Sequence, residues 1–425
     1  MATTKNAQAD GSGALKLSSA ELLAALSYLT DVTPSGSHYH SWRVALVSQH
    51  LAGALSPAAQ RGVFYAGLLH DAGAVGAHKH ITQYTTLKEQ TDDVDIRSHS
   101  QRGAALLNWL PGMGAAAQFV ASHHEWWNGR GYPGGRAGDA IPLGSLILGI
   151  TTVADIAGCF RSKSNLRSVL PTLSSLTSQA WPPEVWAALV RSTKDAEFYR
   201  ALADPAALPG LVKQKITELK VPEELDNEEG VERVLHLFAA LVDLNFSSTT
   251  GHSLRTARRA EALARLMKLS DEESRTAYRA GLVHDCGRLG IDAYILNKSG
   301  RFSETEMQTA RKHAEMTIRV LGCLPECPGM EMLGQLAGHD HERVDGNGYP
   351  DKLQGDNIPL ISRVLSVVDA FDSMVSSQQY RLLTPKGAVV RLEQNSGTQF
   401  DPSVVEAMVA AIRSGAFDEH FKAAA

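Results

Sequence analysis

The sequence predicts an all-α protein built from two copies of one helical domain, each copy with a buried metal centre. Apolar residues recur at three- and four-residue spacing in Glu21–Thr30, Val231–Asp243, Arg255–Met267 and Val404–Arg413, which is typical of helices that bury one face. No hairpin turn is flanked by a sustained alternation of apolar and polar residues, so little β-sheet is expected. Sixteen histidines in 425 residues cluster in two regions that repeat in order.

The repeat is visible when the two halves of the chain are compared. The matched pairs and their separations are His40 and His252 (212 residues), His70 and His284 (214), His99 and His313 (214), Pro133 and Pro350 (217), and Asp155 and Asp369 (214). So many matches in one order indicate a duplication. The predicted domains are residues 15–205 and 230–425. The linker at 206–229 contains Pro209, Gly210, Pro222 and an acidic run from Glu223 to Glu229.

Composition excludes several classes of partner. A net charge of −5 and a pI near 6.3 argue against non-specific electrostatic binding to DNA or to an anionic membrane. Met1–Gly13 lacks the basic and apolar regions of a signal peptide. Four cysteines in a chain of this length do not form a disulfide framework. We therefore expect a cytoplasmic protein.

Two local patterns lead to further expectations. Asp271, followed by Glu272 and Glu273, predicts a helix start with Asp271 as the N-cap. The basic run from Arg255 to Lys268 is interpreted as a solvated helix face.

The repeated residues, His and Asp, are of the types that ligate metal ions. A single buried histidine is usually a core residue that is hydrogen-bonded to a carbonyl and binds no metal. Here, however, five ligand positions recur twice in the order His, His-Asp, His, His, Asp. The carboxylate of Asp285 can bridge two cations, and the mixture of nitrogen and oxygen donors suits Fe, Mn, Ni or Zn. A dinuclear site suits phosphodiester hydrolysis, because two ions can generate a bridging hydroxide and offset phosphate charge.

This pattern resembles the HD-GYP subgroup of the HD phosphohydrolase superfamily. The motifs that carry the resemblance are His-Ser-x-Arg, Leu-His-Asp-x-Gly, a following His, a His pair and Gly-x-Gly-Tyr-Pro. The resemblance implies helical bundles, two divalent ions per occupied site (Fe, Mn or Ni in preference to Zn), and hydrolysis of cyclic di-GMP or 3′,3′-cyclic GMP-AMP to the linear dinucleotide.

Carried over by motif, the implied metal ligands differ slightly between the copies. Those of the first copy are His40, His70, Asp71, His99, His123, His124 and Asp155. Those of the second copy are His252, His284, Asp285, His313, Asp340, His341 and Asp369, with Asp340 in place of the first histidine of the pair. A third ion is not expected, because Gly36 and Ser248 stand where three-metal members have Glu.

The substrate-contacting residues implied by the resemblance favour the second copy. Arg288 stands where the family has a phosphate-binding Lys, and the first copy has Ala74 there. We therefore expect His284, Asp285 and Arg288 to be catalytic. Implied substrate contacts are Arg288, Lys298, Arg343, Tyr349 and Arg381. On this basis the first copy has the fuller set of metal ligands and the second copy the fuller set of substrate contacts.

Three functions remain open at this stage. The first is a cyclic-dinucleotide phosphodiesterase. The second is a catalytically degenerate sensor or partner-binding module, suggested by Ala74 and Asp340. The third is a phosphohydrolase acting on another nucleotide or phosphate ester, because fold does not fix substrate. The Gly-Tyr-Pro loops are rigid turns or docking points for a signalling protein, and a homodimer is compatible with the duplication.

Overall fold

The protein is helical throughout the part of the chain that the structure describes. That structure is a computed structural model covering residues 15–33, 36–37, 39–75, 92–245, 251–298, 300–376 and 382–415. Within these ranges, the one pair of strands is the antiparallel Val32–Thr33 and Gly36–Ser37. The expected all-α class is confirmed. No helix of the described ranges has both the length and the apolarity needed to cross a bilayer.

The helices of the first half precede and follow its His-Asp pair. They are α1 (Ser19–Asp31), α2 (His40–Leu55), α3 (Gln60–Leu69), α4 (Val94–Asn108), α5 (Gly114–Ala121), α6 (Leu143–Ile156), α7 (Lys163–Ser174), α8 (Pro183–Ser192), α9 (Ala196–Leu202) and α10 (Leu208–Leu219).

The helices of the second half repeat this order closely. They are α11 (Glu228–Asn245), α12 (His252–Leu266), α13 (Asp271–Val283), α14 (Ala293–Leu296), α15 (Glu304–Leu321), α16 (Pro328–Gly338), α17 (Leu360–Ser376), α18 (Pro385–Gln394) and α19 (Pro402–Arg413). The four helices predicted from apolar spacing correspond to α1, α11, α12 and α19.

The same three helices form the centre of each copy. In the first copy α2 packs on α3 and α6, and in the second copy α12 packs on α13 and α17. Each trio brings the ligands on separate helices toward one interior point, as helix bundles do around metals. The His-Asp pair lies at the C-terminal end of the middle helix, His284 directly after α13.

The N-cap of helix α13 lies one residue earlier in the chain than the sequence predicted. Ser270, not Asp271, is the N-cap. Its hydroxyl accepts a hydrogen bond from the Glu273 backbone N–H at 3.2 Å, and the Glu273 carboxylate accepts one from the Ser270 N–H at 2.8 Å. This reciprocal capping box satisfies two backbone donors. Asp271 then lies in the first turn, where its charge favours the helix dipole.

The two halves share one hydrophobic core. Helix α1 packs against α11 and α15 of the second half. The Ser19 hydroxyl donates to the Leu225 carbonyl at 2.7 Å, and the Leu15 N–H donates to Glu272 at 3.2 Å. Lys213 lies between Glu21 and the Cys327 thiol, 3.0 Å from that sulfur. The copies are therefore joined by buried contacts as well as by the chain.

The predicted linker at 206–229 contains helix α10. Leu208, Val212 and Ile216 are buried along one side of it, and Pro209 lies in its first turn, where proline is tolerated. The segment is a packed connection, and the exact domain boundary within it stays a prediction.

A close helix contact fixes each trio. A Cβ added at Gly281 would lie 2.6 Å from the Ala257 Cα, whereas one added at Gly210 would meet nothing within 4 Å. Gly281→Ala should therefore lower the free energy of unfolding by about 1–3 kcal/mol through overpacking. Gly210→Ala should raise it by up to about 1 kcal/mol, because alanine favours a helix. Chemical denaturation of both variants checks this, and equal effects would contradict the contact.

Candidate metal centres

Backbone carbonyls fix the tautomer of most of the ligand histidines. The Nδ1 atoms of five of them lie at hydrogen-bond distance from the carbonyl three residues earlier, and these are His70, His99, His123, His284 and His313. A carbonyl only accepts, so Nδ1 carries the proton and the Nε2 lone pair faces the interior. Metal-binding histidines are oriented in this way.

A carboxylate does the same for the first histidine of each copy. The Nδ1 atom of His40 is 2.7 Å from Asp155 Oδ2, and that of His252 is 2.8 Å from Asp372 Oδ2. The Nε2 atoms of both histidines are thereby turned toward the His-Asp pairs.

The aspartate of each His-Asp pair lies between two groups of imidazoles. Asp71 Oδ2 is 3.6 Å from His40 Nε2 and 3.2 Å from His70 Nε2, while its Oδ1 is 3.5 Å from His99 Nε2. In the second copy, Asp285 has the same arrangement. Its Oδ2 is 3.8 Å from His252 and 3.6 Å from His284, and its Oδ1 is 3.8 Å from His313. Each carboxylate can therefore bridge two cations.

Five groups of donor atoms are close enough to share an ion. In each group the atoms lie within 4.8 Å of one another. The groups are His40, His70 and Asp71; His99, His123 and His124; His252, His284 and Asp369; Asp285, His313 and His341; and Asp340, His341 and Asp369. They contain every metal ligand predicted from sequence except Asp155.

Several of these donor atoms lack the partner that a buried polar atom requires. The Nε2 atoms of His40 and His70, and of His99 and His123, are 3.3 Å apart, yet two lone pairs cannot bond each other. Both carboxylate oxygens of Asp71 are buried without a hydrogen bond, and so are both oxygens of Asp340. Buried polar atoms are normally satisfied. The donor sets therefore fit divalent cations.

The two copies differ in the charges that surround their buried carboxylates, and so in the direction in which the carboxylate pKa values are shifted. Burial alone would raise the pKa of Asp71, but the three surrounding histidines hold that pKa well below its usual range. Burial raises the pKa of Asp340 well above its usual range, and the nearby Asp369 and Asp285 add to the effect. The second copy thus concentrates negative charge that a cation would offset.

The prediction that Asp155 is a metal ligand is wrong. Its carboxylate is used by His40 and by Arg43, whose Nε and Nη2 lie 2.5 and 3.0 Å away. Asp372 makes the same contacts with His252 and Arg255. Asp155 therefore corresponds to Asp372, and it orients a ligand histidine.

The equivalence of Asp155 and Asp372 follows from the residues at which their two helices begin. Helices α6 and α17 both begin after an Ile-Pro pair, at Leu143 and Leu360, which are 217 residues apart. The separation stays at 217, so the position equivalent to Asp369 is Thr152. The Thr152 hydroxyl is buried without a hydrogen-bond partner. The first copy therefore lacks the last carboxylate ligand, and its ligand set is not the complete one that the motifs implied.

The basic run from Arg255 to Lys268 is only partly a solvated face, since Arg258, Arg265 and Lys268 are exposed but Arg255 and Arg259 are not. Arg259 is buried and pairs with Asp372, and Arg255 lies 2.9 Å from the same carboxylate. Both guanidinium groups therefore hold the carboxylate that orients His252.

Comparison with known proteins identifies the family of this chain. The sequence pattern described as "HD domain" matches residues 31–155 and 236–404. The chain belongs to the HD domain family. The predicted resemblance to HD-GYP proteins is also confirmed.

Curated relatives cover the HD domains of this chain to different extents. The 3′3′-cGAMP-specific phosphodiesterase 3 of Vibrio cholerae is 30% identical over 75% of this chain and 67% of its own length. The cyclic di-GMP phosphodiesterase response regulator RpfG of Xanthomonas campestris is 31% identical over 43% of this chain and 48% of its own length. The chain thus spans two thirds of one relative and about half of the other.

A solved structure shares the arrangement of both HD domains. It is described as a cyclic GMP-AMP specific phosphodiesterase of V. cholerae, V-cGAP3. It is 24% identical, has a TM-score of 0.67, and the match covers 93% of this chain and 98% of that one. At this identity the match shows the fold.

Of the residues predicted to contact substrate in the second HD domain, one lies at the metal ligands and two form ion pairs with nearby carboxylates. Arg288 lies 2.8 Å from Asp285 Oδ2, at the metal ligands. Lys298 pairs with Glu306 at 2.7 Å, and Arg343 pairs with Asp345 at 2.6 Å. Arg381 lies outside the described residues, as does Ser248.

The Gly-Tyr-Pro loops contact the HD-domain ligands directly. Tyr132 stacks on His124 with ring centroids 4.6 Å apart, and Tyr349 stacks on His341 at 4.9 Å. Arg311 lies 5.2 Å above the Tyr349 ring. Sequence reasoning missed Arg311 and the stacking role of both tyrosines.

A buried glutamate holds the loop in each copy, after the His pair of the first and the Asp-His pair of the second, and it too was missed. Glu125 accepts hydrogen bonds from the Gly134 and Arg136 N–H groups at 2.6 and 2.9 Å. Glu342 accepts one from the Asp351 N–H at 2.7 Å. The recurrence of Glu directly after His124 and His341 was the available signal.

Asp372→Asn should weaken metal binding in the second HD domain about 10–100-fold, because the residue that orients His252 loses its charge. Asp155→Asn is the matched control in the other copy and should leave that affinity unchanged. Competition titration against a chromophoric chelator, with circular dichroism to check folding, measures the effect. An equal loss in both variants would contradict the assignment of Asp372.

Proposed function

We propose that this protein is a metal-dependent phosphodiesterase that hydrolyses a cyclic dinucleotide to the linear dinucleotide, with the second HD domain as the catalytic one. Water adds across one phosphodiester bond: its oxygen joins phosphorus, and the released ribose oxygen takes the proton. The curated relatives named above act on 3′3′-cGAMP and on cyclic di-GMP, and both are candidate substrates here.

The position of Asp285 is the observation that carries the proposal. Its two oxygens face different imidazole groups, with His252 and His284 on one side and His313 on the other. A carboxylate shared in this way supports a pair of ions. When bound, two divalent ions activate water at neutral pH and offset the charge of the phosphate.

The protein's own residues orient the ligands and the phosphate. Asp372 and the Gly281 carbonyl fix His252 and His284 in the tautomer that presents Nε2. Arg288, at Asp285, offers a planar cation for a phosphate oxygen. Tyr349 fixes the plane of His341 by stacking. Most of the ligand set is buried, with only His341 and Asp369 partly exposed, which limits the water that competes with the reaction.

The second HD domain is favoured because two of its features are missing from the first. Asp369 lies 3.1 Å from His252 Nε2, and the equivalent position of the first copy is Thr152. Arg288 supplies a cation where the first copy has Ala74. We infer that the first copy supports the second through the shared core. Iron, manganese or nickel suits the mixed donors of the second copy better than zinc.

A sensor that binds without turnover is the second candidate. Asp340 stands where the first copy has His123, and both of its oxygens are buried and unpartnered. If this change prevented the ions from binding as a pair, cyclic dinucleotide would bind without being cut. Product formation separates the two functions.

Manganese- or iron-loaded protein should linearise at least one of cyclic di-GMP and 3′3′-cGAMP, as followed by chromatography. Asp285→Asn should lower kcat at least about 100-fold, because the bridging charge is lost. Asp71→Asn, the same change in the first copy, should retain most of the activity. Loss of activity in Asp71→Asn alone would reverse the assignment. Full activity of metal-stripped protein would exclude a metal-dependent reaction.

Arg288→Ala should reduce kcat/KM about 10–100-fold, since a charged hydrogen bond to phosphate is worth about 1.5–3 kcal/mol. Arg288→Lys keeps the cation and should recover part of this loss. Steady-state kinetics on both variants tests the role. If alanine and lysine behave alike, the charge of Arg288 does not act on the substrate.

A further inference from the structure

The ligand groups define two positions for an ion in each copy. Position A is the space between the first histidine and the histidine of the His-Asp pair. Position B is the space between the next histidine and the His pair, or the Asp-His pair in the second copy. The aspartate of the His-Asp pair reaches both positions.

Position A of the first copy has lost a ligand. His40 and His70 offer two nitrogens there, and Asp71 shares one oxygen. Thr152, which replaces the aspartate of the second copy, is a neutral alcohol and a much weaker ligand than a carboxylate. Its buried hydroxyl has no hydrogen-bond partner.

Position B of the first copy is complete and rich in nitrogen. His99, His123 and His124 are all buried, and their donor atoms lie within 4.8 Å of one another. The other oxygen of Asp71 is 3.5 Å from His99 Nε2. Three imidazoles and one carboxylate make a four-ligand set that suits a divalent transition metal.

Both positions of the second copy have two nitrogens and two carboxylates. Position A has Asp369 beside its two histidines. At position B His313 groups with His341, and Asp340 groups with His341 and Asp369. Asp285 is common to both. The buried carboxylates of Asp285 and Asp340 and the half-buried one of Asp369 provide negative charge for two adjacent dications.

We propose that the chain binds divalent ions unequally, with one ion at the three-histidine position of the first copy and a pair in the second copy. The pair in the second copy rests on the proposed function, whereas the single ion in the first copy follows from Thr152 and the intact His99 group. The first copy is therefore a single-ion site that cannot form the dinuclear centre.

Metal counting tests this proposal without using turnover. Full-length protein is stripped, dialysed against Co²⁺ and analysed by mass spectrometry for bound cobalt. The wild type should hold about three ions per chain, one fewer than two dinuclear centres would. His123→Ala/His124→Ala should lose about one, because position B of the first copy keeps only one imidazole.

Two exchanges between the copies sharpen the test. Thr152→Asp restores the missing carboxylate and should raise the count to about four. Asp369→Thr reproduces the first copy's state in the second and should lower it to about two. Circular dichroism verifies folding, and if Thr152→Asp does not fold, the Asp369→Thr count decides.

The outcomes separate this inference from the proposed function. About four ions in the wild type, or no loss in His123→Ala/His124→Ala, would overturn the inference even if the protein turns over cyclic dinucleotide. About three ions with the expected changes would uphold it even if no substrate is cut, and only the proposed function would then fail.

Discussion

In each half of the chain, one buried carboxylate lies between two groups of imidazoles, and the surrounding helices serve to keep it there. Asp285 can face both groups because α13 ends at Val283, directly before the His-Asp pair. Helix α13 is held against α12 at the close contact of Gly281 with Ala257. The carbonyls and carboxylates behind seven of the nine ligand histidines then set their Nε2 atoms toward the centre. Burying these imidazoles and carboxylates without cations costs free energy of folding. Helix packing and metal binding therefore depend on each other.

Duplication allowed the two copies to lose different parts of this arrangement. The first copy keeps His123 and His124 but has Thr152 and Ala74. The second copy keeps Asp369 and has Arg288, but Asp340 replaces a histidine. Because α1 packs on α11 and α15, the first copy contributes core to its partner whatever ions it binds. This explains how a domain can persist with an incomplete ligand set.

Much of the fold and of the site could be predicted from sequence. Helical spacing and the doubled histidine pattern were sufficient for the class and the repeat. The family resemblance named fourteen metal ligands, and thirteen of them group in the structure. Asp155 was misassigned because two aspartates three residues apart lie on α17 and only one has a counterpart on α6. The choice depends on which carboxylate reaches His252 Nδ1, a contact that a sequence does not display. The constant separation of 217 residues was the signal that could have decided it.

Other features depended on packing that no motif encodes. Arg259 is buried only because Asp372 lies opposite it. Arg311 approaches Tyr349 because α15 and the Gly-Tyr-Pro loop meet at the site. The helix in the predicted linker forms because three apolar residues, one turn apart, find the shared core.

Anomalous diffraction from crystals of the manganese-loaded protein tests the central claim most directly, because it locates each ion. The account predicts two peaks about 3.5–4 Å apart, one on each side of Asp285. A pair of peaks flanking Asp71, with none at Asp285, would contradict it and assign the dinuclear centre to the first copy.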